Sequence, residues 1–132
     1  MAEKKMKEAV LEFAEERFGT KPEYLWSRTP DCGVLRCGNN KWYAIIMNVD
    51  GRKIGLPDTG KLDIINVKCS HLMTGSLLAM KGIVPAYHMN KNNWVSVLLD
   101  GSVDIGQVTA LLEMSHELVD RTKKKAKNAA SE

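Results

Sequence analysis

The sequence predicts an α+β fold: a twisted antiparallel sheet of about five to six strands, packed on an N-terminal and a C-terminal helix, with one further helix in the middle. Three observations predict it. Apolar residues recur at helical spacing near both ends of the chain, at Met6, Val10, Phe13, Ala14 and Phe18 and again at Val108, Leu111, Leu112, Leu118 and Val119, with the small Ser115 on the same buried face. Between them lie β-branched and aromatic runs punctuated by Gly, Asn and Asp. Those runs follow one another through tight turns, which pairs strands antiparallel and gathers the helices on one face.

In chain order, residues 3–18 read as the first helix, with Lys and Glu off its apolar stripe; Gly19 suits the position after the last turn and Pro22 prevents continuation. Tyr24-Leu25-Trp26 follows, then a connection containing Pro30 and Gly33. Residues 34–37 lead through Gly38-Asn39-Asn40 into residues 42–49, aromatic and β-branched enough for a central strand. Asp50-Gly51 is a turn signal, and the glycine- and proline-rich loop after it is expected to hold a short edge strand at Lys53-Ile54-Gly55. Residues 62–69 read as another strand. Ser70 is an N-cap candidate for a helix to about Met80, with Leu72, Met73, Leu77 and Met80 as its stripe. A hairpin over residues 83–99 turns at Lys91-Asn92-Asn93, because Asn tolerates positive φ and bonds its own backbone. Asp104, with Gln107 three residues on, opens the last helix.

Length bounds the organisation. The 132 residues suit one domain, taken as 1–120, followed by a basic segment 121–132 expected to fray. No apolar run approaches a bilayer span, and Met1 to Glu16 has no signal-peptide core, so the expected compartment is cytoplasmic with no membrane partner. Cys32, Cys37 and Cys69 form an odd set without CxxC spacing, which points to reduced thiols rather than a disulfide framework or zinc site. The net charge of +3 is unevenly placed. Residues 121–132 carry +4, residues 28–91 carry +5, and residues 92–120 hold five acids and no Lys or Arg. A positive middle suits an anionic partner on one face.

At the hairpin the sequence resembles the MmcQ/YjbR family. The matching residues are Ile83, Pro85, Tyr87-His88-Met89-Asn90-Lys91, Trp94 and Leu98-Leu99-Asp100-Gly101-Ser102, with Ser115 and Glu117-Leu118-Val119 in the last helix. Trp26, residues 34–41 and Lys68-Cys69 add to the match, which spans roughly residues 5–120. The chain departs from the pattern at Lys41-Trp42-Tyr43, where the family tends to Lys-Met-Phe, and at His116, where it favours Tyr. The resemblance implies a CyaY-like, frataxin-like α+β fold, often described as a double-wing DNA-binding arrangement.

Nucleic-acid binding is therefore the leading expectation. Its candidate residues are His88, Asn90, Lys91, Asn92 and Asn93 on the hairpin, with Arg36, Lys41, Arg52 and Lys53 on other loops, since Asn and Lys at hairpin tips reach phosphates and base edges. The competing reading makes Asn90 to Asn93 a plain turn. Trp94 and Tyr87 could be stacking platforms for bases, but strand alternation favours placing Tyr87 and Met89 on one face, pairing Met89 with Trp94, turning both aromatics into the core against the helices and leaving His88 on the opposite face. No Ser-His-Asp or Cys-His spacing, phosphate loop or HExxH motif joins His71, His88 and His116, so no enzyme activity, catalytic residue or cofactor is expected. The first helix mixes the acids Glu8, Glu12, Glu15 and Glu16 with Lys4, Lys5 and Lys7, and acids at spacing four on a solvated face are common, which disfavours an iron or other metal site. The alternative function is an adaptor that binds a protein partner or a small ligand on the open sheet face, as a monomer or weak dimer.

Overall fold

Five strands form one antiparallel sheet in the order β1-β2-β3-β5-β4. The computed structural model describes residues 5–57 and 60–131, with side chains as far as residue 120. The elements are α1 (Met6–Phe18), β1 (Gly33–Arg36), β2 (Trp42–Asp50), a 3-10 turn (Gly51–Ile54), β3 (Lys61–Lys68), α2 (Thr74–Leu78), β4 (Ile83–Pro85), β5 (Trp94–Leu98) and α3 (Ile105–Ser131). The architecture is α+β, as the sequence predicts, with five strands. The side chains of residues 121–131, where the basic and fraying segment was expected, lie outside the description.

The helices cover one face. Val10 and Ala14 of α1 and Val108, Leu112 and Val119 of α3 bury against Leu35, Ile46, Ile65, Val67, Val95 and Val97 of the sheet. This is the apolar stripe of each helix meeting one side of the pleat. Gly19 ends α1 at φ 68°, its N–H bonded to the Glu15 carbonyl at 2.9 Å, as a left-handed terminal residue does. Asp104 starts α3, its carboxylate accepting from Gly106 N–H at 2.9 Å.

A bulge decides which way β2 presents its aromatic. Leu35 pairs with Ala44 but Arg36 with Trp42, so Tyr43 is the extra residue. Its ring is fully buried against Phe18 and His116, and its hydroxyl bonds Thr20 Oγ1 at 2.9 Å. The carbonyl released by the bulge accepts from the Ser115 hydroxyl of α3, which also accepts from Lys68 N–H at 2.8 Å. One buried serine thus ties α3 to two strands.

Three elements differ from the expectation. At residues 53–55 there is a 3-10 turn instead of an edge strand, because the Asp50 carboxylate captures Arg52 N–H at 3.0 Å and curls the chain. The middle helix is only Thr74–Leu78. Ser70 holds Leu72 N–H in a local turn rather than capping a helix, and Leu72 is 82% exposed, so of the expected stripe Leu77 alone is fully buried. The hairpin is not closed by a tight turn at Lys91-Asn92-Asn93. Pairing ends at Pro85, opposite Val95, and residues 86–93 form a loop, because Tyr87 N–H bonds the Ser96 side chain at 2.9 Å instead of continuing the ladder.

Candidate ligand site

The face of the sheet away from the helices is also apolar. Alternation turns Val34, Ile45, Met47, Val49, Ile64 and Leu98 to that side, where they form two further apolar clusters. Because Val95 and Val97 meet the helices, Trp94, Ser96 and Leu98 face the opposite way; the expectation that Trp94 packs under the helices is reversed, although it is buried. Neither α1 nor α3 covers this side. Two loops do, residues 24–32 and 86–93, together with Ile54 and Leu56 at the 3-10 turn, and between the loops remains a cavity of about 630 Å³.

The first loop enters past the edge of β1, where Glu23 and Val34 exchange backbone hydrogen bonds at 2.9 Å. Three residues on, Trp26 lines the cavity and meets Trp42 edge-to-face at 5.9 Å between centroids. Cys32, at the loop's end, lines the cavity too; burial raises its pKa, so it stays a neutral thiol at neutral pH.

The second loop is pinned by a polar pair inside the sheet. Asn66 and Ser96, directly opposed on β3 and β5, are fully buried, and the Ser96 hydroxyl donates to Asn66 Oδ1. Asn66 Nδ2 then donates to the Tyr87 carbonyl at 3.0 Å, while Ser96 Oγ accepts from Tyr87 N–H. Two buried polar side chains in an apolar sheet spend their hydrogen bonds on one loop residue. That fixes Tyr87 and Met89 at the cavity wall, and His88 between them adopts φ 60°, its ring 3.9 Å from that of Tyr87. A non-glycine residue in the left-handed region is uncommon and concentrates where ligands are held.

Charge lies at the other end, at the β2–β3 connection. Lys53 and Lys61 line the cavity there, with Asp50; Asp31 lines it from the first loop. Arg52 grips Asp50 through Nε at 3.2 Å and Nη2 at 2.9 Å. These bonds, with the Arg52 N–H, hold the Asp50 carboxyl at a pKa of about 2.

The nine residues expected to meet nucleic acid do not form one surface. His88 and Lys53 line the cavity just described. Asn90, Asn92 and Asn93 sit with His71 and Thr74 around a second, polar hollow of about 460 Å³. There Asn90 Oδ1 accepts from Asn92 N–H at 2.9 Å and Thr74 Oγ1 donates to the Asn92 carbonyl at 2.7 Å, so the triple-Asn segment makes its own turn. Lys91 is exposed at its tip and Lys41 on the β1–β2 turn. Arg52 is committed to Asp50. Arg36 lies 2.9 Å from Glu23 through Nε, without hydrogen-bond alignment, and 6.0 Å above the Trp42 ring.

A family model described as YjbR matches residues 16–118. The chain belongs to the YjbR family. It is 37% identical over 113 residues to the uncharacterized protein YyaQ of Bacillus subtilis, covering 85% of this chain and 96% of that one. A crystal structure of a Pseudomonas syringae protein superposes with a TM-score of 0.81 at 38% identity, over 83% of this chain and 95% of that chain. A Deinococcus radiodurans protein with a DUF419 domain, 21% identical, shares the fold at a TM-score of 0.66, over 87% and 78% of the two chains.

Within this YjbR fold, the expected site residues omitted most of the cavity. Trp26, Cys32, Trp42, Ile45, Met47, Tyr87 and Met89 were read as core, strand or connection, and Lys61 was given no role. One signal was present: β2 is apolar at consecutive positions, Tyr43 to Met47, which means cover on both faces, while the predicted helices could cover only one. Among the described residues no helix is long and apolar enough to cross a membrane.

Proposed function

We propose that this protein is a non-enzymatic binding protein that takes a small ligand with an apolar, planar body into the cavity on the helix-free face. One observation carries the reading: a hollow of about 630 Å³ floored by Ile45 and Met47 and walled by Trp26, Trp42 and Tyr87. Ligand pockets have that size and that lining, apolar and aromatic with a few polar groups at the margin. A sheet face that needed only cover would be filled at close packing. The buried Asn66–Ser96 pair and the left-handed His88 give the wall a fixed shape before any ligand arrives. The test is fluorescence titration with phenyl-naphthylamine, a neutral planar probe. Saturable binding of one probe per protein is expected, weakened at least about tenfold by Met47→Arg, which sets a guanidinium on the floor. Unsaturable binding, or binding indifferent to Met47→Arg, would sink the reading.

Nucleic acid remains a second reading, favoured by one observation: His88, Asn90, Lys91 and Asn92 are all exposed on the 86–93 loop. Binding through that loop would fall steeply with salt as condensed counterions are released, and Asn90→Ala with Lys91→Ala would weaken it. The scatter of the remaining candidates, with Arg36 and Arg52 held by carboxylates, counts against it. No detectable binding to single- or double-stranded DNA at low ionic strength would end it.

A further inference from the structure

We infer that the ligand of this cavity is an aromatic monoanion, a planar apolar ring system bearing one acidic group. This rests on the reading of the cavity as a ligand site and adds the charge. Two ammonium groups, Lys53 and Lys61, belong to residues that line the same end of the cavity. Among the described residues neither forms an ion pair, although Lys61 stands opposite Asp50 across the β2–β3 ladder and Lys53 helps to hold the Asp50 carboxyl down. Two carboxylates line the cavity as well, but they are not equivalent. Asp50 is held by the two-pronged contact with Arg52, so its charge is already answered. Asp31 lies on the other loop, at the end of the connection that carries Trp26. The cavity therefore offers an aromatic and thioether interior with an excess of positive charge at one end. An anion placed there keeps its acidic group at the solvent margin beside the lysines, where a charge is cheaply accommodated, and lays its rings against Trp42, Met47 and Tyr87. A neutral ligand would draw nothing from these two exposed, hydrated ammonium groups, and a cation would be repelled by them.

The experiment compares two dyes with one skeleton, anilinonaphthalene sulfonate and phenyl-naphthylamine, the latter lacking the sulfonate, on the full-length protein. The sulfonate is expected to bind about tenfold more tightly at low salt, the size of one charge-assisted contact. That advantage is expected to shrink as salt rises and to vanish in the Lys53→Ala/Lys61→Ala variant, where the two dyes are expected to bind alike. A control variant of equal charge outside the cavity, Lys41→Ala/Lys91→Ala, is expected to keep the advantage. Equal affinity for the two dyes, or equal loss in both double variants, would overturn the inference while leaving the cavity reading standing. Failure of both dyes to bind would overturn both. Thermal melts of each variant confirm that the changes, all at exposed lysines, leave the fold intact.

Discussion

Both faces of this sheet are apolar, but one is packed and the other is roofed. Beneath α1 and α3, Leu35, Ile46, Ile65, Val67, Val95 and Val97 are at most 0% exposed, and the polar groups among them are matched. Ser115 satisfies the carbonyl set free by the Tyr43 bulge and the Lys68 amide together. On the far side the residues are as apolar, but the cover is two loops and the 3-10 turn, and these stop short of filling the space. The difference teaches that apolar character alone does not make a core. A helix presents a continuous stripe to the pleat, whereas a loop holds itself to the sheet at a few points, here through Asn66 and Ser96, and spans the rest.

The sharpest way to test the contrast is to truncate one residue on each side. Leu112→Ala removes a fully buried side chain from α3 and leaves a void, so a loss of about 2–5 kcal/mol is expected. Met47→Ala, on the half-buried floor of the cavity, enlarges a space that already exists and is expected to cost about 1 kcal/mol. Urea denaturation of the two variants measures both. Equal costs would mean that the far face is packed as tightly as the near one.

Most of the fold was legible in the sequence and most of the site was not, for a physical reason in each case. The stripes of α1 and α3 have one period and one face to bury, so Met6 to Phe18 and Val108 to Val119 announced themselves. Strand β2 did too. Where local hydrogen bonds compete with regular structure, the reading failed: Asp50 turned the chain into a 3-10 turn, Ser70 diverted the start of α2, and Ser96 drew Tyr87 out of the hairpin ladder. The cavity depends on that last diversion, which brings residues 87–89 over a sheet face lined from positions forty residues earlier. Period-two counting assigned Tyr87 and Met89 to a strand, and so could not see them as a wall.

Two serines extend the comparison at a smaller scale. Ser115 and Ser96 are both fully buried and both bridge backbone groups. Ser115→Ala strands the Lys68 amide and the Tyr43 carbonyl where water has no access, with an expected loss of about 1–3 kcal/mol of global stability. Ser96→Ala strands the Tyr87 amide and takes the donor from the buried Asn66 Oδ1, so a cost of similar size is expected, but one felt at the 86–93 loop that this pair anchors. Hydrogen exchange would show faster exchange of amides in residues 86–93 with the helices unaffected. Acceleration spread over the whole sheet would break the distinction between the two faces.

The smallest effect expected lies in pH. His116 stacks on Phe18 at 3.9 Å, meets Tyr43 edge-on and is drawn to a pKa below the usual 6.5 by burial, with Asp120 opposing. The group facing it from β1's end is Cys37, whose thiol burial and Asp120 push up to about 11 and which is therefore neutral. In the folded protein the imidazole resists protonation; in the unfolded chain it accepts a proton near 6.5. Unfolding therefore takes up a proton in the interval between the two values. The stability contributed is fully present above about pH 6.5 and is lost as pH falls toward the folded value. His116→Phe keeps a stacking ring and removes the titration. Denaturation at about pH 7.5 and about pH 5.5 should show a smaller acid-induced loss in the variant than in the parent. An unchanged loss would place the acid sensitivity in other groups, and would mean that α3 does not shield His116 as the packed face requires.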